Sequence, residues 1–416
     1  MKFNKWTVAL AAVGVVSLAS AAKAEEKASS VMTALSSTTV SGYVDTSAQW
    51  NFGTGNDFLP PYKFNSASKA DGFNLDVVQL RIEKPLDESE WAAGYRVDLW
   101  AGPDANALNT VSTGLHGDFA VRQAYVALRT PVLNGIDWKV GVFDSIIGYE
   151  SVESGNNPNY TRSYGHSIEP QTHTGVLATY RFSDVVSASA GVANTTGPVI
   201  NSRAFAPVQT SNAYPESYKT YMASLAITAP ESLGFLAGST LYGGVVNGYN
   251  NSVPASGGGL SAPTLNAYVG TTIATPVTGL RFGVAWDLMN LDTTPNSGIA
   301  AGTKVEADIW SLAGYASFQA TEKLSFHGRV EYVTGDIDRP GFLSVPVYGR
   351  ENGIYAVTAT AQYDLWKNVI SRLEFRWDHV EHGKAFGASQ FDSNTETIGP
   401  SRENAFMLAA NIIYKF

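Results

Sequence analysis

The last stretch of the chain, residues 403–416, restricts the fold more than any other part of the sequence. Every second residue from Phe406 to Phe416 is apolar, and Tyr414 and Phe416 place two aromatic rings at the very end of that face. A period of two is the signature of a β-strand. A strand with one wholly apolar face that ends in aromatic residues is typical of a strand whose outer side meets lipid, with its aromatic rings at the membrane interface. The stretch therefore predicts the closing strand of a membrane-embedded sheet.

The other end of the chain predicts export. Lys2 and Lys5 precede an apolar run over residues 6–22, which ends in the small-residue sequence Ala22-Lys23-Ala24. This is the three-part plan of a secretory signal peptide. A membrane anchor is the competing interpretation, but the run is short for a spanning helix and rich in alanine. We expect a signal peptide at 1–24 and a periplasmic linker at 25–38, with the barrel domain at 39–416.

Composition narrows the class of protein further. After residue 24 no run of about eighteen apolar residues remains, so any span must be built from strands. The chain has 0 Cys, 20 Tyr, 19 Phe and 9 Trp, yet its mean hydropathy is −0.07. Alternating lipid-facing and water-facing residues average to such a value in a large barrel. The formal net charge of −9 argues against a nucleic-acid partner, because no basic stripe could neutralise phosphates.

Period-two segments recur along the whole chain. The clearest interior one is 369–379, where Leu373, Phe375 and Trp377 oppose Arg372, Glu374, Arg376 and Asp378. The other predicted strands are 39–52, 78–83, 91–99, 119–130, 136–143, 173–182, 185–193, 218–228, 235–246, 264–274, 280–288, 307–318, 324–333 and 354–366. The faces at 119–130 and 235–246 remain ambiguous. With the closing strand, the count is about sixteen, an even number as in single-chain bacterial barrels.

The predicted connections alternate between short and long without exception. Short ones fall at 131–135, 183–184, 230–234, 275–279, 320–323 and 366–368, and long ones at 53–72, 101–118, 144–172, 194–217, 247–263, 289–304, 334–353 and 382–402. A transmembrane barrel has tight periplasmic turns and long outer loops. We therefore predict an all-β, transmembrane, antiparallel up-and-down β-barrel of about sixteen strands, with short periplasmic turns, long extracellular loops and both termini in the periplasm.

Several stretches resemble the beta-barrel porin-2 family of outer-membrane proteins. They are VSGYVDT at 40–46, QLRIEKPL at 79–86, GYRVDLWAGPDA at 94–105, VRQAYVAL at 121–128, GIDWKVGVFDSIIG at 135–148, NPNYTRSY at 157–164 and THTG at 172–175. The resemblance implies a channel of the bacterial outer membrane and supplies no solute. It also makes a homotrimer plausible, since general porins commonly form trimers. Tyr414 and Phe416 resemble the terminal signal read by the barrel-assembly machinery, although Asn411 stands where that signal usually has glycine.

The third long connection is a candidate pore constriction. In general porins the third outer loop folds into the lumen, and 144–172 matches it in order and length. The candidate constriction residues are Asp144, Glu150, Glu153, Tyr160, Arg162 and Tyr164. The predicted lumen wall comprises Arg96, Asp98, Arg122, Arg129, Arg281, Arg329, Glu331, Arg372, Glu374 and Arg376. Acid on one side and arginine on the other would produce a transverse field that selects solutes by charge and dipole. Alternatively, the arginines pair with wall carboxylates and the loop lies outside.

Function remains open between a passive porin for small hydrophilic solutes and ions and two alternatives. A sugar-specific channel could use Trp100, Tyr149, Tyr160 and Tyr164 as stacking surfaces. A closed barrel could instead serve as an adhesin or structural anchor. Catalysis is disfavoured because His166, Ser167 and Glu169 carry no recognised hydrolase motif. Asp104, Asn106 and Asn109, and Asp336 with Asp338, are only weak calcium candidates. We expect no cofactor and no metal.

Overall fold

A computed structural model provides the fold. It describes residues 31–32, 37–53, 55–108, 110, 117–204, 217–251, 261–293, 305–337, 353–392 and 397–416. The predicted signal peptide at 1–24 lies outside these residues and stays a prediction. Both calcium candidates also stay predictions, because Asn109 of the first and Asp338 of the second lie outside the described residues. Within the described ranges, no helix combines the length and the apolar character needed to cross a bilayer.

Sixteen long strands make up the wall. They are β1 Thr39–Asn51, β2 Gly72–Lys84, β3 Ala92–Ala101, β4 Phe119–Thr130, β5 Ile136–Asp144, β6 Thr172–Arg181, β7 Val186–Ala193, β8 Thr220–Thr228, β9 Thr240–Asn251, β10 Ser261–Ala274, β11 Leu280–Thr293, β12 Val305–Gln319, β13 Leu324–Ile337, β14 Ile354–Trp366, β15 Val369–Val380 and β16 Asn404–Lys415. Each pairs antiparallel with the next, and β16 pairs with β1 through Ala410↔Ala48 and Ile413↔Asp45. The predicted closed antiparallel barrel is confirmed.

Burial alternates along each strand as the period-two pattern predicts. On β15, Leu373 and Phe375 are 53% and 42% exposed on the outside, whereas Glu374 and Arg376 are 0% exposed on the inside. On β16, Phe406, Ile412 and Tyr414 face outward while Met407, Asn411 and Ile413 are buried. Large apolar side chains on the outside and charged ones inside invert the arrangement of a soluble protein. The arrangement suits a wall whose outer surface contacts lipid.

Two short helices and several 3-10 turns lie in the connections between strands. Helix α1 is Pro103–Leu108 and helix α2 is Tyr164–Ile168, while 3-10 turns occur at Ala67–Lys69, Ser154–Asn156 and Glu231–Leu236. The last long connection carries a small hairpin of Gln390–Asp392 with Thr397–Gly399. The short segment Val31–Met32 pairs with the start of β1.

One predicted strand is wrong in position. Strand β9 begins at Thr240, because Pro230 opens the 3-10 turn Glu231–Leu236 where the prediction has strand 235–246. Gly234 and Gly238 have φ of 62° and 77°, a left-handed conformation that glycine adopts without strain. The connection between β8 and β9, residues 229–239, was predicted to be short. It is longer than the connection between β9 and β10, residues 252–260, which was predicted to be long. The alternation of short and long connections therefore has an exception.

The ambiguous face at 119–130 has a physical cause. The register between β3 and β4 shifts between Asp98 and Leu99, so that Asp98 pairs with Gln123 and Leu99 with Val121. Arg122 is the extra residue of this β-bulge, and both Arg122 and Gln123 are buried towards the lumen. A strict period of two cannot predict two consecutive inward side chains.

Candidate functional site in the barrel lumen

The third long connection, residues 145–171, lies inside the barrel and is called the third loop below. Its backbone contacts lumen-facing side chains of strands on the far wall. The Tyr160 and Thr161 amides donate hydrogen bonds to Glu374 Oε2 and Oε1 at 2.5 Å and 2.9 Å. The Thr360 hydroxyl donates to Glu374 Oε2 at 2.7 Å. A single buried carboxylate thus holds the middle of the loop against β14 and β15.

Three arginines on the same wall donate to backbone carbonyls of the third loop. Arg372 Nη2 is 2.6 Å from Asn157 O, Arg329 Nη1 is 2.9 Å from Thr161 O, and Arg376 Nη1 is 2.9 Å from Arg162 O. Irregular backbone inside a barrel has carbonyls without ladder partners, and guanidinium groups supply several fixed donors. We call this lumen face of β13–β15 the anchoring wall; it comprises Arg329, Glu331, Arg372, Glu374, Arg376 and Asp378.

Tyr164 fixes the end of the anchored segment. Its amide donates to Glu331 Oε2 at 2.6 Å, its hydroxyl donates to Asp378 Oδ1 at 2.7 Å, and its side chain is fully buried. The Arg376 guanidinium lies 5.0 Å from the centre of the Tyr164 ring. Ser163 caps α2 by accepting a hydrogen bond from the His166 amide at 3.0 Å. The loop therefore leaves the anchoring wall through a defined helical turn.

A second charged cluster joins the loop to β2–β4. Arg81, Arg96 and Arg122, which we call the arginine cluster, converge on two carboxylates. Asp98 accepts from all three, at 2.8 Å, 2.8 Å and 2.6 Å. Glu153 of the third loop also contacts all three, at 3.0 Å from Arg122 and 3.3 Å from Arg96. Two buried carboxylates are thus shared by the three guanidinium groups, and Asp144 and Glu83 add further contacts to Arg122 and Arg96.

The protonation state of Glu153 follows from these neighbours. Burial by itself would raise the pKa of this carboxyl group, but the charges of Arg81, Arg122 and Arg96 outweigh it and lower the pKa below its ordinary value. Glu153 is therefore ionised at neutral pH.

A cavity of about 230 Å³ separates the third loop from the wall formed by β2–β6. Its wall side carries the arginine cluster together with Tyr125 and Lys139, and its loop side carries Glu150, Glu153 and Gln171. On the anchoring wall, by contrast, direct hydrogen bonds close the contact. A sizeable cavity of the lumen thus lies on the β2–β6 side of the loop.

The predicted site residues divide among these regions. Asp144 contacts Arg122, and Glu150 pairs with Arg329 at 2.9 Å. Arg162 braces the loop itself by donating to Val152 O at 2.9 Å. Arg129 pairs with Asp137 at 2.6 Å near the turn 131–135. Arg281 lies beside the turn 275–279. Glu150 and Glu153 thus form direct ion pairs with wall arginines, and the cavity lies beside these pairs.

Two aromatic residues of the predicted stacking surface are unavailable to a solute. Trp100 is 1% exposed and donates to Gln79 Oε1 at 2.7 Å, and Tyr164 is fully buried. Tyr149 stacks on Tyr315 with ring centres 4.2 Å apart. The sequence analysis did not name Arg81 or Lys139 as site residues. For Arg81 a signal was present, because it alternates with apolar residues in QLRIEKPL and this pattern predicts a lumen-facing side chain.

Comparisons with known proteins agree with this architecture. A model of the family described as "Putative beta-barrel porin-2, OmpL-like" matches residues 37–416. The chain belongs to this porin family. Family and fold indicate a channel rather than an enzyme, located in the outer membrane. Among curated protein sequences, none matches this porin.

Solved outer-membrane proteins share the fold of this porin. OmpT of Vibrio cholerae has 11% identity and a TM-score of 0.54, covering 93% of this chain and 100% of the other. The channel DcaP of Acinetobacter baumannii has 12% identity and a TM-score of 0.53, covering 91% and 97%. An anion-selective porin from Comamonas acidovorans has 10% identity and a TM-score of 0.54, covering 91% and 99%. At such identities the likeness concerns the fold alone.

Proposed function

We propose that this porin is a water-filled channel for passive diffusion of small hydrophilic solutes and ions. One observation carries the proposal: the third loop is bonded directly to the anchoring wall, while a cavity of about 230 Å³ lined by charged side chains remains on its other side. Charged and hydrogen-bonding groups replace part of the hydration shell of a passing ion or solute. The route therefore runs between the third loop and β2–β6, and Asp144, Glu150 and Glu153 with the arginine cluster form the constriction.

Planar bilayer recording tests the proposal. Purified protein should give discrete current steps in potassium chloride, and the reversal potential in a salt gradient reports the preferred ion sign. Heat-denatured protein at the same concentration serves as the control. A correctly folded barrel that never conducts would refute the proposal. That result would favour the adhesin or structural-anchor alternative.

A substrate-specific sugar channel is the second candidate, and the geometry supports it less. The residues expected to stack on a pyranose include Trp100 and Tyr164, which are buried. Neutral sugars should therefore pass without saturable block of the current. Concentration-dependent block by a neutral oligosaccharide would reverse this ranking.

The partners of the channel follow from its surface and termini. Outward Leu373, Phe375 and Tyr414 suit outer-membrane lipid, and Tyr414 with Phe416 is the expected signal for the barrel-assembly machinery. One structurally similar protein, OmpT of Vibrio cholerae, is described in a trimer form at 12% identity. We extend this to a homotrimer as the proposed assembly, to be tested by native mass spectrometry in detergent.

A further inference from the structure

We propose that the cavity beside the third loop binds hydroxylated carboxylates of sugar-acid size, with Lys139 as the residue that receives the carboxylate. The proposal rests on the proposed channel function and adds a solute class to it. It depends on one cation without a direct carboxylate partner, two free acceptors and the volume between them.

Among the described residues that line the cavity, Lys139 is a cation with no carboxylate within ion-pair distance. It lies on the lumen face of β5, half-buried, with Nζ 5.1 Å from the centre of the Tyr125 ring. The arginine cluster beside it is already paired with Asp98, Glu153 and Asp144, and Arg96 also lies 3.9 Å from Glu83. No carboxylate of the described residues comes within ion-pair distance of Lys139. A carboxylate that enters the cavity would therefore meet an ammonium group that has no direct carboxylate partner.

Two glycines lie level with Tyr125 on the neighbouring strands. In the register row that crosses β4, β5 and β6, Tyr125 pairs with Gly141, and Gly141 pairs with Gly175. A Cβ on Gly141 would lie 2.3 Å from Ala124 O, and one on Gly175 would lie 2.1 Å from Val192 O. These two lumen-facing positions therefore present no side chain. They add no side-chain bulk beside Tyr125, which lines the cavity.

Two oxygens of the cavity have no hydrogen-bond partner. Gln171 is 6% exposed, and its amide nitrogen donates to His166 O at 3.0 Å and Glu169 O at 3.1 Å. Those two bonds fix the amide orientation and leave Oε1 without a donor. Asp144 Oδ1 is likewise buried without a donor, while its other oxygen contacts Arg122. Ligand hydroxyl groups are donors suited to both oxygens.

The cavity volume agrees with a ligand of this class. A cavity of about 230 Å³ holds several water molecules, so it also has room for a small organic ligand. A six-membered ring with a carboxylate and several hydroxyls occupies a comparable space. Recognition would combine a charge-assisted hydrogen bond at Lys139 with hydroxyl bonds to Asp144 and Gln171. It would not require the buried aromatic residues.

The test compares three probes of one ring size in planar bilayers: glucuronate, glucose and cyclohexanecarboxylate, each added to potassium chloride at constant ionic strength. We expect saturable reduction of the single-channel current by glucuronate and none by glucose. Cyclohexanecarboxylate should block at least tenfold more weakly than glucuronate, because it lacks hydroxyl groups. Equal block by the two carboxylates would overturn the hydroxyl recognition.

Substitutions assign the block to the cavity. Lys139→Gln should raise the half-blocking concentration of glucuronate at least tenfold, and Gln171→Leu severalfold. Lys323→Gln, at the exposed turn 320–323, serves as the matched control and should leave it unchanged. Unchanged block in Lys139→Gln, or no block in the unaltered channel, would refute this inference. An absence of any current in potassium chloride would instead refute the proposed channel function.

Discussion

Loss of the Glu374 carboxylate should release the third loop from the anchoring wall. In Glu374→Ala the Tyr160 and Thr161 amides lose their acceptors, which lie at 2.5 Å and 2.9 Å in the native protein. A hydrogen bond to a charged group contributes about 1.5–3 kcal/mol, so the two bonds together contribute about 3–6 kcal/mol to docking. Because about 1.4 kcal/mol is tenfold in an equilibrium constant, the docked fraction should fall by a factor of roughly 10²–10⁴ relative to the undocked one.

Single-channel recording and limited proteolysis measure this release. An undocked loop should give larger or strongly fluctuating conductance, and it should be cut by proteases added to the folded barrel. Glu374→Gln keeps one carbonyl acceptor and should show a smaller effect. Glu83→Ala is the matched control, because Glu83 faces the lumen from β2 and lies 3.9 Å from Arg96 without a bond to the third loop. If Glu374→Ala conducts as quietly as the native protein and resists proteolysis equally, the anchoring role is refuted.

Three further predictions concern selectivity, pH and assembly. Arg122→Ala should favour potassium over chloride, because loss of the positive charge stabilises a potassium ion and destabilises a chloride ion a few ångströms away by about 1–4 kcal/mol each. The reversal potential in a salt gradient measures this preference, and an unchanged potential contradicts the role of the arginine cluster. Burial, followed by the nearby charge of Asp287, raises the pKa of Glu169 well above its ordinary value, so the docked loop favours the protonated form. Docking of the third loop should weaken as pH rises through that raised pKa. Current noise at alkaline pH should therefore grow in the native channel but not in Glu169→Gln, and equal growth in both would contradict the role of Glu169. Gly42→Val places a Cβ 2.1 Å from a strand carbonyl oxygen, so the yield of folded barrel, measured by its heat-modifiable gel mobility, should decrease. Gly314→Ala, whose Cβ would have its nearest neighbour at 3.5 Å, is the control and should fold normally.

The outer wall could be predicted from sequence because one physical rule governs it. Each strand separates lipid from the lumen, so alternation in polarity reports orientation directly, as Leu373 and Glu374 show. The closing strand and its pairing with β1 follow from the same rule. The exceptions are local. The bulge at Arg122 and the 3-10 turn after Pro230 shift which residues face the lumen, and the amino-acid composition of these segments does not indicate the shift.

The interior was predictable only in part, because periodicity gives a face and no partner. Arg329, Arg372 and Arg376 were expected on the lumen wall, yet their bonds to loop carbonyls depend on a backbone path that no spacing reveals. Glu150 and Glu153 were both expected at the constriction, but they pair with arginines on opposite walls. Lys139 was overlooked because its proposed role depends on the lack of a carboxylate within ion-pair distance among the described residues, and only the three-dimensional arrangement defines that.

Cysteine accessibility most directly tests whether the open route lies on the β2–β6 side of the third loop. The chain has 0 Cys, so a single introduced thiol gives an unambiguous signal. In Tyr125→Cys, a water-soluble charged thiol reagent should react and lower the single-channel current in one step. In Thr360→Cys, behind the loop and 3% exposed in the native protein, the thiol should remain unreactive. Rapid reaction and block at position 360, with none at position 125, would contradict the account.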